Sequence, residues 1–254
     1  MNARLYAATL RAGCLTAFGA VLLWLGANAH AGEQKSPILV ELFTSQGCSS
    51  CPPADQILGD LQKRSDVVAL SFSIDYWDYI GWRDTLATRE NTLRQQAYEK
   101  VLPSHRVYTP QMVIDGVRDV VGNQRKDVLE AIERRVNETR GKKVSVAIAQ
   151  TDDGLQVRIG AAGAGQRQSA TVWLARTLSS RTVNIAKGEN TGRVITYHNI
   201  VRGFAAVGKW SGDAMTLELP ARGAQGDISD GVAVWVQAGG NGPVLGASQL
   251  KLRR

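Results

Sequence analysis

Side chains that carry reactive chemistry are scarce in this chain. Its 254 residues include only three cysteines, three histidines and three methionines, and aromatic residues make up 6%. Three cysteines are too few for a disulfide framework, and no second ligand pair stands ready to close a zinc site. There is no G-x-S-x-G or comparable setting for a Ser-His-Asp hydrolase. The glycine cluster "GAAGAGQ" (Gly160–Gln166) lacks the third glycine of a nucleotide fingerprint and reads as a loop. No repeat at a solenoid period and no low-complexity tract is present. What remains, at 44% apolar and 21% charged residues, is the composition of a foldable globular protein.

The first residues read as a secretory leader. Arg4 and Arg11 supply positive charge, "CLTAFGAVLLWLGA" (Cys14–Ala27) is the apolar core, and "AHA" (Ala29–Ala31) offers small-x-small cleavage. The apolar run falls short of the roughly 18–20 residues of a spanning helix. Residues 1–31 are therefore expected to leave as a signal peptide. That predicts a periplasmic or secreted protein with no stable membrane insertion after cleavage.

Cleavage takes Cys14 with it and leaves two cysteines, Cys48 and Cys51, in "GCSSCPP". A bridge between such close neighbours restrains little of the unfolded chain, so it is a poor staple even where disulfides persist. The pair follows the apolar strand pattern "PILVELF" (Pro37–Phe43) and precedes Ala54, Ile57, Leu58 and Leu61 at helical spacing. Pro52 and Pro53 suit a first helical turn. Cys48 would then lie at a helix amino end, where free amides and the dipole stabilise a thiolate. Cys51, deeper in, would act as the resolving thiol.

Charge divides the chain. Residues 36–140 hold 13 Lys and Arg against 15 Asp and Glu, whereas residues 141–254 hold 14 against 7. The first stretch alternates strand and helix patterns: "VVALSFSI" (Val67–Ile74), a helix around Leu86–Val101, a hairpin in "QMVIDGVRDVV" turning at Asp115-Gly116, and a helix around Val128–Val136. The second stretch holds about seven short alternating strands, which predicts an antiparallel sandwich. Its basic residues are scattered rather than striped, so nucleic acid is not expected as a partner. "GENTGRVITYHNIVRGF" (Gly188–Phe204) is its most distinctive segment, a candidate loop and strand facing the first half.

The cysteine pair together with "YTPQMVIDG" (Tyr108–Gly116) resembles the thioredoxin superfamily over residues 37–140. The resemblance implies a cis proline at Thr109-Pro110 facing the cysteines, with backbone that pairs with extended substrate. It also implies a buried carboxylate serving the resolving thiol as proton acceptor, for which Glu41 is the nearest match. Ser49-Ser50 stands between the cysteines where thioredoxins carry other dipeptides. Gly47 replaces the usual aromatic, which predicts a less shielded Cys48. Over residues 36–254, "VELFTSQGCSSCPPAD", "DYWDYIGWRD", "YTPQMVIDG" and "GENTGR…YHNIVR" resemble a narrower family of secreted bacterial proteins catalogued as a domain of unknown function. That family is described as thioredoxin-like.

The expected fold is thus a thioredoxin-like α/β domain over residues 36–140, a mixed sheet flanked by helices, followed by an all-β antiparallel sandwich over residues 143–254. The expected function is an exported thiol–disulfide oxidoreductase: Cys48 attacks a protein or peptide disulfide, Cys51 resolves, and an unidentified redox partner resets the pair. No cofactor is implied. Asp75 and Trp77, in the aromatic–acidic stretch "SIDYWDYIGWRD" (Ser73–Asp84), would help to grip substrate with Thr109 and Pro110. Two competing readings stay open. Cys48, Cys51 and His105 could carry copper, or an inert disulfide could sit in a non-catalytic binding protein.

Overall fold

The computed structural model describes residues 36–220 and 228–253; the expected signal peptide lies outside them. The first half supplies β1 (Ile38–Thr44), α1 (Pro52–Leu61), β2 (Val67–Ser73), α2 (Arg89–Glu99), β3 (Gln111–Ile114), β4 (Arg118–Val121) and α3 (Arg125–Thr139). The second supplies β5 (Val146–Gln150), β6 (Leu155–Ile159), β7 (Ala170–Asn184), β8 (Val194–Trp210), β9 (Met215–Leu219), β10 (Gly231–Ala238) and β11 (Val244–Lys251). A short 3-10 turn occupies Asp78–Ile80. No described helix is long and apolar enough to cross a membrane.

Strands β1 and β2 are buried along their whole length and run parallel, as near-continuous apolar runs covered on both faces do. On one face Val40 and Leu42 meet Ala54, Ile57 and Leu58 of α1 and Val128 and Ile132 of α3. On the other, Leu39, Phe43 and Phe72 meet Tyr98 of α2. The three-residue β3–β4 connection turns at Asp115 and Gly116, with φ of 50° and 67°, and Val117 N–H closes the turn on the Ile114 carbonyl. A Cβ on Gly116 would stand 2.2 Å from the Gly242 carbonyl oxygen, so the turn admits no side chain there.

A thioredoxin-like domain followed by a separate sandwich is not what forms. Strands β7, β8, β10 and β11 extend the first-half sheet into one mixed sheet of eight strands, ordered β11-β10-β7-β8-β2-β1-β3-β4. The join is parallel, with Ser71 of β2 opposite Ile200 of β8. One core crosses it: Leu39, Phe43, Phe72 and Tyr98 pack with Ala175, Val201, Ala233 and Trp235. Among the described residues, β5, β6 and β9 alone make a second sheet, whose Val146, Leu155 and Val157 pack with Val172, Val232 and Val234. The reason is physical. Strand alternation records which face is buried, but it does not say which sheet edge a strand joins.

The β7–β8 hairpin carries the second half across to the cysteines. Its strands span 15 and 17 residues and shift register at Val172/Trp173 and Arg176/Thr177. Extra residues of this kind bend and twist a hairpin. Its outer part packs Tyr197 and Ile200 against Leu86, and residues 185–193 at the tip reach the cysteine end of the first half.

Candidate functional site

Helix α1 starts at Pro52, and both prolines sit where a missing N–H costs nothing. Cys51 is the N-cap with helical backbone angles, so Cys48 lies in the turn just before the helix rather than within it. The two are joined by a disulfide, with Cα atoms 5.4 Å apart. Cys51 donates its N–H to the Cys48 carbonyl at 3.2 Å, and Cys48 Sγ lies 3.4 Å from Ser50 Oγ. Cys48 is 1% exposed and Cys51 is not exposed at all.

The shielding missed from the sequence comes from elsewhere in the chain. Gly47 leaves room for two neighbours: a Cβ there would lie 3.0 Å from Ile80 and 3.1 Å from Trp77. Trp82 donates its ring N–H to the Gln46 side-chain oxygen at 2.9 Å. From the far half, Asn190 at the hairpin tip is buried, and its amide donates to the carbonyls of both Gln46 and Cys48 at 2.9 Å. Glu189 accepts the Ser49 N–H at 3.1 Å. Gly188 rests against Ile80 and Trp82, so the aromatic segment and the hairpin tip close over the cysteine loop together.

Thr109-Pro110 is a cis peptide bond, and it stands at the same end of the sheet. Trp77 links it to the Gly47 turn by donating its ring N–H to Thr109 Oγ1 at 2.8 Å. The Pro110 carbonyl accepts from Gly122 N, while the adjacent Asn123 donates to the Ser50 carbonyl at 3.2 Å. Tyr79 stacks on Trp77 with an interplanar angle of 15° and is 82% exposed. Asp75 is engaged by α2: it accepts from Thr92 Oγ1 at 2.6 Å and stands 3.7 Å from Arg89.

Two candidates lie apart from the cysteines. Glu41 alternates with Val40 and Leu42, so it points to the α2 side of the sheet while α1 packs on the other. There it is fully buried, paired with Arg94 and hydrogen-bonded by Tyr98. His105 is exposed beyond α2, with its ring nitrogen 3.1 Å from the Glu99 carbonyl oxygen. Among the described residues, no group of three His, Cys, Asp or Glu side chains is arranged to hold a metal ion.

Sequence reasoning passed over a different acid. Asp55 lies one turn after Cys51, donates its own N–H to the Cys51 carbonyl at 3.1 Å, and is 2% exposed. Residues four apart share a helix face, and helical side chains lean towards the amino end, here towards Cys51. Thr44 neighbours the carboxyl, yet neither Asp55 oxygen nor Thr44 Oγ1 makes a well-formed hydrogen bond. Burial therefore raises the Asp55 pKa well above the usual carboxylate range, and Asp84 nearby adds to the effect. Asp84 is itself raised by burial, to about 6, although Gln46, Leu86 and Ala87 donate backbone N–H groups to it. Tyr197 of β8 is also raised by burial, with both acids contributing. The signal in the sequence was available: "CPPADQIL" sets an acid one helical turn from a cysteine beside the apolar stripe of Ala54, Ile57 and Leu58.

Among solved structures, the X-ray crystal structure of a protein from Agrobacterium tumefaciens is similar to this chain. It has 34% identity and a TM-score of 0.76 over 87% of this chain and 97% of that one. HBP35 of Porphyromonas gingivalis matches with 13% identity and a TM-score of 0.54 over 87% of this chain and 76% of that one, a likeness of fold alone. No curated protein matches. The family described as "Protein of unknown function (DUF1223)" matches residues 39–237, which is most of the chain, and the chain belongs to that family.

Proposed function

We propose that the protein is an exported thiol–disulfide oxidoreductase, periplasmic or secreted, that works through Cys48 and Cys51 on protein or peptide thiols and disulfides. The observation that carries this reading is a disulfide at the start of α1 with a buried, unpartnered carboxyl one turn from Cys51. A structural bridge does not need such a neighbour, and burying an unpartnered acid costs stability.

The step follows from that pairing. A substrate thiolate attacks Cys48 Sγ, the Cys48–Cys51 bond breaks, and the electron pair leaves on Cys51 sulfur. Asp55 gives its proton to that sulfur and becomes a carboxylate. A second thiolate then attacks the substrate sulfur of the mixed disulfide, which forms the substrate disulfide and frees Cys48 as a thiolate. Run backwards, Asp55 takes the Cys51 proton while Cys51 attacks the mixed disulfide. Thr109, Pro110, Trp77 and the exposed Tyr79 would line the approach of the substrate chain, and a separate redox protein would reset the pair.

A pH titration of the reduced protein with an alkylating agent tests the reading. One thiol, Cys48, should react with a pKa below the free-cysteine value of about 8.5, and the other should react slowly. Two slow thiols of ordinary pKa would contradict it. Burial of both cysteines favours a second reading, a binding protein with an inert disulfide. It predicts instead that the disulfide resists dithiothreitol in the folded state.

A further inference from the structure

The tip of the β7–β8 hairpin is anchored, not merely nearby. Asn190 is buried and its amide spans two carbonyls of the cysteine loop, and Ile185 at the tip's base is fully buried. This fixes Glu189, whose carboxylate oxygen stands 3.1 Å from the peptide nitrogen joining Cys48 to Ser49. Amides at the amino end of a helix are the groups that stabilise a thiolate. Here the Ser49 amide, in the turn just before that helix end, is occupied by an anion that lies beside the sulfur's own peptide unit.

We infer that Glu189 sets the redox poise of the Cys48–Cys51 couple, making Cys48 a weaker acid and the disulfide a weaker oxidant than the helix amino end alone would. The inference rests on the oxidoreductase reading and adds a residue from the opposite half of the chain. A carboxylate next to a forming thiolate disfavours it by like-charge repulsion. Stabilising the reduced form makes a disulfide more oxidising, so removing Glu189 pushes the couple that way. The other titratable groups around the loop include Asp84, bonded to Gln46 N, Asp78, which accepts from Asp84 N, Asp55 on α1 and Tyr197 on β8. Ser50 Oγ, 3.4 Å from Cys48 Sγ, is a side-chain donor within reach of the sulfur. Glu189 is a positioning residue in this scheme; it acts through Cys48 and touches no substrate.

The test compares Glu189→Gln with the unaltered chain, each also carrying Cys51→Ser for thiol work. The pH profile of iodoacetamide alkylation should show the Cys48 pKa falling by about half a unit to one unit on removing the charge. The difference should shrink in 1 M salt, because the carboxylate is exposed and screened. Glu189→Asp should lie between the two. With both cysteines present, equilibration against glutathione should shift by up to about tenfold, ~30 mV for a two-electron couple, towards the oxidising side. An unchanged or raised pKa would overturn the inference, as would a shift undiminished by salt. Glu189 is exposed, so the glutamine variant should fold. If no disulfide substrate were ever turned over but this pKa shift appeared, the proposed function would fall while the role of Glu189 stood.

Discussion

Asp55→Asn should slow reduction of the Cys48–Cys51 disulfide by dithiothreitol about a hundredfold or more, the usual scale of a positioned proton donor. Asparagine keeps the shape of the protonated acid but has no proton to give, so the departing Cys51 thiolate is left in a buried site. The same substitution should also change how stability depends on pH. Burial raises the folded-state pKa of Asp55 above its unfolded value, so the native state holds the proton more tightly. Stability is then greatest below the unfolded pKa of about 3.9 and is lost as pH rises through the folded value. Urea unfolding of the wild type should show that decline, and the asparagine variant should show a flatter profile. A rate within about threefold of wild type would remove Asp55 from the chemistry.

Arg94→Ala should cost about 3–5 kcal/mol, the range for stranding one partner of a buried ion pair. The guanidinium serves Glu41, Tyr98 and Gln237, and its carbon lies 4.9 Å from the Trp235 ring centroid and 5.1 Å from that of Tyr98. These contacts bind β1, α2 and β10, so one side chain couples strands from both halves of the eight-stranded sheet. Typical domains have about 5–15 kcal/mol in total, so the variant should unfold at far lower urea. Arg94→Met combined with Glu41→Gln should recover most of the loss, because no charge is left buried alone. A loss below about 1 kcal/mol for Arg94→Ala would contradict this role.

These two residues mark where the sequence could be read and where it could not. The strands at Ile38–Thr44 and Val67–Ser73 and the turn at Asp115-Gly116 are legible because burial, length and turn chemistry act locally. The cysteine position before α1 is legible for the same reason, since the proline pair announces the first helical turn. Sheet topology is not local. Nothing in the alternation of "RVITYHNI" says that Ile200 will sit beside Ser71, and that one pairing turns an expected second domain into an extension of the first. Glu41 shows the limit of reading a buried acid by analogy. The apolar run places it in β1, but a two-residue period sets its face, and that period points it at Arg94. Gly47 alone predicts a less shielded Cys48, because the cover of this loop comes from residues 77–82 and 188–190, distant in the chain.

The most direct test of the proposed chemistry is trapping with the reduced Cys51→Ser variant and a peptide disulfide. A mixed disulfide through Cys48 should accumulate and persist, and the reduced Cys48→Ser variant should form none under the same conditions. A stable adduct on Cys51 in the Cys48→Ser protein, or no adduct with either variant, would contradict the assignment of Cys48 as the attacking thiol.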